Sequence, residues 1–259
     1  MSKITLLGTC SGTEPMPNMH HCSMILETNN SLYWFDCGEG AVYNAFNSGV
    51  DFMNTRAVFI SHMHFDHIGS LSHLIFTVHK MCSKHKRTLN NGNSIDFYLP
   101  DTYIFDSIKE IAVSSRNRLN PFKFGLNEKA VKDGLVYEDE NIRVTANHNT
   151  HLKENGENGW HSYSYLIEIG EKRIVFSGDV GKPQELDTLI GNGCDVLIME
   201  TGHHKVCDIL AYAESHSIGT LYFNHHGREI LEDRKSAQAL ADASKQNTVI
   251  ATDGTTIEL

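Results

Sequence analysis

Short apolar runs of strand length alternate with polar turn residues near the start of the chain. Gly, Asn, Ser or Asp bounds each run, and these residues favour turns between strands. The pattern predicts strands at the segments KITLLGT, SMILETN, SLYWFDCG and RAVFISH.

The period of the apolar positions then changes to spacings of three and four, which is typical of a helix with one apolar face. We expect this face to pack against the core. A second helix is expected over residues 103–113. The apolar face of the first helix consists of Ile68, Leu71, Leu74, Ile75 and Val78.

Strand-like and helix-like segments alternate in the second half of the chain. A β-rich half followed by strands interspersed with helices indicates two sheets sandwiched between helices, in a single domain of residues 1–259. The last segment, TVIATDGTTIEL, is predicted to be a closing pair of strands. The other predicted strands are NIRVTANH, SYSYLIEIG, KRIVFSGDV, CDVLIME and GTLYFNH, and the helices are HKVCDILAYAESH and REILEDRKSAQALADASKQ.

Composition narrows the class of protein. The chain of 259 residues is 40% hydrophobic and 21% charged, which is typical of a globular protein with a full core. No apolar run approaches the roughly 20 residues that span a bilayer, and no signal-like segment opens the chain, so we expect no membrane association. The six cysteines are scattered without a CxxC pair, which favours reduced thiols and a cytoplasmic location.

The charge balance bears on the partners. The formal net charge is -10 with histidine neutral, whereas binding to extended nucleic acid usually needs a basic surface that neutralises phosphates. The sequence therefore predicts that extended nucleic acid is an unlikely partner and that the substrate is small.

One segment, SHMHFDHIG, concentrates residues that bind metals. His62 and His64 are two positions apart just past a predicted strand, so both side chains can point to one side. Asp66 and His67 follow where the apolar helix begins. Imidazole nitrogens and carboxylate oxygens are ligands of Zn²⁺, and this spacing can serve two adjacent metal ions.

The pattern H-x-H-x-D-H after a strand resembles the signature of the metallo-β-lactamase superfamily. The segments LLGTCSGTEPMPNMHHCSMIL and FDCGEG are similar to the opening motifs of its ribonuclease Z-like and phosphodiesterase-like members. The resemblance covers nearly the whole chain. It implies an α/β (α+β) fold, a four-layer αββα sandwich of two mixed β-sheets flanked by helices.

The resemblance also implies three further ligands. A histidine after a strand corresponds to His151, with His148 as the alternative, and an aspartate in a Gly-Asp turn corresponds to Asp179. A last histidine at a strand end corresponds to His225, with His226 as the alternative. The first metal would then bind His62, His64 and His151, the second would bind Asp66, His67 and His225, and Asp179 would bridge the two.

The implied cofactors are two divalent metal ions, most readily Zn, with Mn or Fe as alternatives. Two cations lower the pKa of a bridging water and make hydroxide available near about pH 7, and Asp66 would orient this hydroxide. Asp36 of FDCGEG would hold a ligand loop through hydrogen bonds. Glu200 and His204, or more weakly His203, resemble a proton-donating pair of ribonuclease Z-like members.

Three functions fit these residues. The first is a dinuclear hydrolase acting on a small or nucleotide-like phosphodiester, and the second is a hydrolase of lactones, thioesters or other carboxylic esters. The third is an iron-binding oxidoreductase or a metal-binding protein without turnover, which His64 disfavours because flavodiiron members usually have Glu there.

Members of the superfamily often form homodimers, so a homodimer is possible. Transfer-RNA processing is not expected, because no long substrate-binding arm is recognisable and HHGRE departs from the usual His-Phe-Ser-x-Arg-Tyr pattern.

Overall fold

A computed structural model describes residues 2–113, 122–152 and 159–259. Two seven-stranded sheets form the centre of the fold. The strands of the first sheet are β1 (Lys3–Gly8), β2 (Ser23–Thr28), β3 (Ser31–Cys37), β4 (Thr55–Phe59), β5 (Ser94–Leu99), β6 (Gly125–Ala130) and β14 (Thr256–Glu258). Those of the second are β7 (Gly134–Glu138), β8 (Arg143–His148), β9 (Tyr163–Ile169), β10 (Lys172–Phe176), β11 (Cys194–Thr201), β12 (Ile218–His226) and β13 (Thr248–Ile250).

Both sheets are mixed. The strand orders are β14-β1-β2-β3-β4-β5-β6 and β13-β12-β11-β10-β9-β8-β7. In the second sheet, β10 to β13 are parallel neighbours, whereas β7 to β10 pair antiparallel. The helices are α1 (Ala41–Asn47), α2 (Phe65–Ile68), α3 (Leu71–Lys84), α4 (Phe105–Val113), α5 (Asp187–Ile190), α6 (Val206–Glu214), α7 (Arg228–Glu232) and α8 (Arg234–Ala243).

The aromatic residues of β3 and β4 show how the layers pack. Because successive side chains of a strand point to opposite faces, Phe35 packs between the sheets while its neighbour Trp34 packs against the helices. The ring of Phe35 stacks on Phe59 at 4.9 Å and meets Tyr165 and Phe176 of the second sheet edge-on. This central core joins the two sheets and supports our proposal that residues 1–259 form one domain.

The outer cores confirm the predicted αββα sandwich. The apolar face of α3 buries Leu71, Leu74, Ile75 and Val78 against the first sheet, as the spacing predicts. On the other side, α6 buries Ile209 and its neighbours against the second sheet. The layer order is therefore helices, sheet, sheet, helices.

Several boundaries differ from the prediction. The closing strands do not pair with each other: β14 pairs with β1, and β13 pairs with β12 in the other sheet. Strand periodicity identifies a strand but not its partner, which explains the error. The last helical segment is split at Asp233, whose side chain accepts a hydrogen bond from the Ser236 amide at 3.1 Å and so begins α8.

Some elements were not predicted at all. The strands β5, β6 and β7 and the helix α1 fall in segments without a clear period. β6 is largely exposed and polar, so it lacks the apolar alternation by which a strand is recognised.

None of the helices within the described ranges is long and apolar enough to cross a membrane. The cytoplasmic location and the homodimer stay predictions.

Candidate metal centre

The candidate ligands converge at one edge of the sandwich. β8, β10 and β12 run in the same direction, so their carboxyl ends meet at this edge. The Tyr163 amide donates a hydrogen bond to the Ser61 carbonyl at 2.9 Å and ties the second sheet to the segment after β4. The residues are His62, His64, Asp66 and His67 after β4, His151 after β8, Asp179 after β10 and His225 near the end of β12.

Three histidines form the first group. Nε2 of His62 lies 2.9 Å from Nδ1 of His64, and Nε2 of His151 lies 3.5 Å from the same atom. One nitrogen from each ring can therefore meet a single ion. Burial lowers the pKa of His62 well below its ordinary value, so its ring is neutral and has a lone pair for a metal.

A carboxylate and two histidines form the second group. Nε2 of His67 and Nε2 of His225 are 3.2 Å apart, and Oδ2 of Asp66 lies 3.1 Å from Nε2 of His225. All three residues are buried. Their donor atoms point to one common position.

Asp179 lies between the two groups. Its Oδ2 is 3.7 Å from Nε2 of both His62 and His151, whereas its Oδ1 is 3.5 Å from Nε2 of His67 and 3.3 Å from Nε2 of His225. Burial alone would raise the pKa of Asp179, but the surrounding imidazoles outweigh it and hold that pKa well below its ordinary value. The residue is a buried carboxylate anion that faces both groups.

The chemistry of this donor set fits divalent metal ions. Asp179 is 2% exposed, yet its Oδ1 accepts no hydrogen bond from the described residues. A buried carboxylate oxygen without a donor is costly unless a cation satisfies it. Imidazole nitrogen and carboxylate oxygen suit Zn²⁺ and similar ions.

Asp36 orients His67, as expected from the sequence. Its Oδ2 accepts hydrogen bonds from Nδ1 of His67 and from the Ser61 hydroxyl, both at 2.7 Å, and its Oδ1 accepts one from the Ser61 amide at 2.6 Å. With its proton on Nδ1, His67 presents the lone pair of Nε2 to the site. The backbone of Asp36, near the end of β3, has φ 56, in the left-handed region.

The structure separates the two histidines of NHNTH. His151 joins the first group, whereas His148 pairs with Asp133 at 2.6 Å and stacks on Trp160 with ring centroids 4.1 Å apart. His148 therefore lies outside the groups of ligand atoms.

Adjacent histidines also separate at the end of β12. His225 has φ 48, and the pairing of β11 with β12 shifts register at this point. This irregularity turns His225 into the site, while the ring of the buried His226 contacts the Ala251 carbonyl at 2.9 Å. Burial lowers the pKa of His226 to about 4.

Glu200 lies beside both His203 and His204, so the expectation that His204 is its partner stays a prediction. Nδ1 of His203 lies 3.1 Å from Oε1 of Glu200, and the ring borders the pocket over the metal ligands. Nε2 of His204 lies 3.4 Å from the same Oε1 and 3.0 Å from the Val180 carbonyl oxygen. Both histidines follow β11 in a short loop rather than a helix, and His203 is the one that lines the pocket.

A pocket of about 480 Å³ opens above the groups. Two of its lining residues are glycines where a side chain would not fit. A Cβ at Gly12 would lie 2.9 Å from Oδ2 of Asp66, and one at Gly202 would lie 2.7 Å from Nδ1 of His225. Two further lining residues, Phe65 and Arg228, are exposed. Phe65 was not predicted to line the site, although it stands between the ligand residues His64 and Asp66 in the sequence.

Comparison with known proteins agrees with this geometry. The family model described as Anti-Pycsar protein Apyc1 matches residues 2–248. A Ribonuclease Z of Picrophilus torridus is 28% identical in an alignment of 246 residues, gaps included, that covers 83% of this chain and 78% of that protein. A Ribonuclease Z of Synechococcus is 26% identical over 71% of this chain, but the match spans only 53% of that protein.

A solved structure has the same fold. The metallo-β-lactamase fold protein YhfI of Bacillus subtilis superposes with a TM-score of 0.73 at 19% identity, over 99% of this chain and 98% of that one. Fold, histidine-rich edge and family match agree, and they confirm a metallohydrolase of the metallo-β-lactamase superfamily, similar to ribonuclease Z. The chain belongs to the Anti-Pycsar protein Apyc1 family.

Proposed function

We propose that the protein is a dinuclear metal-dependent hydrolase of a small, nucleotide-like phosphodiester. The observation that carries the proposal is the position of Asp179, whose two oxygens face two different groups of ligand atoms. His62, His64 and His151 would hold one ion, Asp66, His67 and His225 would hold the other, and Asp179 would contact both. When bound there, divalent ions would supply Lewis acidity and lower the pKa of a water nucleophile.

The chain itself contributes a base and an acid. Asp66 lines the pocket, so its carboxylate can accept a hydrogen bond from the attacking water and fix its direction. The Glu200 carboxylate beside His203 raises the pKa of that imidazole above its ordinary value. A protonated His203 can give a proton to the oxygen that leaves when the phosphorus–oxygen bond breaks.

Glu200 holds this acid in place. It is 1% exposed, and its Oε2 accepts hydrogen bonds from the amides of Gly202 and His203 at 2.8 and 2.9 Å. Its Oε1 faces Nδ1 of His203, which leaves Nε2 of that ring for the leaving group. We assign Glu200 as the residue that positions the acid and His203 as the acid.

Pocket size and chemistry support a small substrate. A volume of about 480 Å³ lies in the range of small-molecule sites. Phe65 is 68% exposed at the wall, and an exposed aromatic ring is a platform on which a nucleobase can stack. A carboxylic ester would use the metals equally well, but it would not need this ring.

RNA is a second candidate substrate, because curated relatives are named Ribonuclease Z. These names conflict with our expectation that extended nucleic acid is an unlikely partner. The net charge of -10 favours the small substrate. Direct comparison of the two substrates decides between them.

The test is a substrate panel on the full chain loaded with Zn²⁺ or Mn²⁺. Bis(4-nitrophenyl) phosphate, a 3′,5′-cyclic nucleotide, a transfer-RNA precursor, a lactone and a thioester are assayed side by side. We expect turnover of the two small phosphodiesters at rates above those of the others. Faster cleavage of the RNA would favour the second candidate, and a metal-loaded protein inert on all five would refute a hydrolase.

A further inference from the structure

Arg228 is the one arginine or lysine among the residues that line the pocket in the described part of the chain. It follows Gly227 and lies three positions after the pocket-lining His225. Its side chain is 52% exposed, so the guanidinium is free to change position. Since the whole chain is acidic, a cation at this place is important for any anion that enters.

Glu14 neutralises this cation in the structure. Its Oε2 lies 2.6 Å from Nη2 of Arg228, and its side chain is 62% exposed. Exposed ion pairs of this kind are weak and exchange readily with solvent or other ions. The pair is therefore easily broken by a better anion.

Glu14 lies in the loop after β1, beside the pocket. Residues 11–13, immediately before it, line the same pocket, and Gly12 packs directly against Asp66. Glu14 and Arg228 are 214 positions apart in the chain, so their contact joins the loop after β1 to the segment after β12. The carboxylate thus reaches the guanidinium at the border of the pocket.

We propose that Arg228 binds the anionic phosphoryl group of the substrate and that Glu14 occupies Arg228 until the substrate displaces it. The guanidinium fork matches two phosphate oxygens, which makes this contact stronger than the exposed pair it replaces. Arg228 is then the residue that favours an anionic phosphodiester over a neutral ester. The proposal rests on the proposed function for its substrate.

The exchange is measured by calorimetric titration of the metal-loaded full chain with inorganic phosphate. Arg228→Gln should weaken phosphate binding about tenfold or more, as expected for loss of a charge-assisted contact. Glu14→Gln should strengthen it about two- to fivefold, because the competitor is gone. In the double variant the Glu14 effect should disappear, since the guanidinium for which Glu14 competes is missing.

Glu232→Gln is the matched control. It removes a negative charge near Arg228 without removing a hydrogen-bonded partner, so an effect equal to that of Glu14→Gln would overturn direct competition. Unchanged phosphate binding in Arg228→Gln would overturn the proposal as a whole. A Glu14 effect that persists in the double variant would do the same.

Turnover then separates this proposal from the proposed function. Arg228→Gln should raise KM for bis(4-nitrophenyl) phosphate about tenfold and leave KM for the neutral 4-nitrophenyl acetate unchanged. Equal increases for both substrates would contradict charge selection. If the wild-type protein cleaves no phosphodiester, the proposed function fails, while phosphate binding by the variants still decides the role of Arg228.

Discussion

His67 and His225 present their Nε2 atoms to each other at 3.2 Å in the interior of the protein. The other nitrogen of His67 already faces Asp36 at 2.7 Å. With its proton on Nδ1, His67 turns a lone pair towards His225, and a cation between the rings satisfies both nitrogens. The hydrogen bond to Asp36 therefore prepares His67 for a metal.

This relationship predicts the effect of Asp36→Asn. The side-chain amide of the variant can donate a hydrogen bond to Nδ1 of His67. The imidazole proton then moves to Nε2, and His67 no longer offers a lone pair to a metal. We expect zinc affinity to fall about 10- to 100-fold, measured by competition with a chelator. Glu39→Gln, an exposed change three positions away, is the control, and equal zinc affinity in all three folded proteins would contradict this role of Asp36.

The assignment of His203 as the acid predicts how turnover depends on pH. An acid acts only while protonated, and Glu200 raises the pKa of His203, so the protonated form persists to higher pH than for an ordinary histidine. Activity should decline as the pH rises through that raised pKa. His203→Ala should lower kcat about 10²- to 10⁴-fold on substrates with poor leaving groups and abolish this decline.

His204→Ala is the matched comparison, because His204 also contacts Glu200, at 3.4 Å, but His203 is the histidine of this pair that lines the pocket. We expect it to keep the pH profile of the wild type. A leaving group that needs no proton, such as 4-nitrophenolate, should also be nearly insensitive to His203→Ala. A profile changed by His204→Ala and not by His203→Ala would reverse the assignment.

Stacking on the exposed ring of Phe65 predicts selectivity for substrates that contain a nucleobase. Phe65→Ala should raise KM for a cyclic nucleotide about 5- to 150-fold, since loss of one stacking contact is worth about 1–3 kcal/mol. Phe65→Tyr retains the ring and should behave as the wild type. Steady-state kinetics measure both, and an unchanged KM in Phe65→Ala would show that the ring does not contact the base.

The sequence predicts the layers and much of the site because their signals are local. The run SHMHFDHIG places four ligand-type residues within a few positions, and the spacing of Leu71, Leu74 and Val78 identifies the helix beside it. Alternation along strands also reveals most of both sheets. These features depend on near neighbours in the chain.

The remaining features of the site depend on backbone conformation and on contacts between residues far apart in the chain, so the sequence does not predict them. His225 faces the site because of its left-handed φ and a register shift, which alternation does not predict. His203 and His204 both lie in the loop after β11, where helical spacing does not indicate that His203 lines the pocket. The Glu14–Arg228 contact joins residues 214 positions apart, so no local pattern reveals it.

The metal content of the zinc-loaded chain tests the central claim most directly. We predict about two zinc ions per chain in the wild type and in His148→Ala, whose ring pairs with Asp133 outside the site. His151→Ala, which removes a ligand of the first group, should retain less zinc. Fewer than about one ion per wild-type chain, or equal zinc in the two variants, would contradict a two-metal site built on these residues.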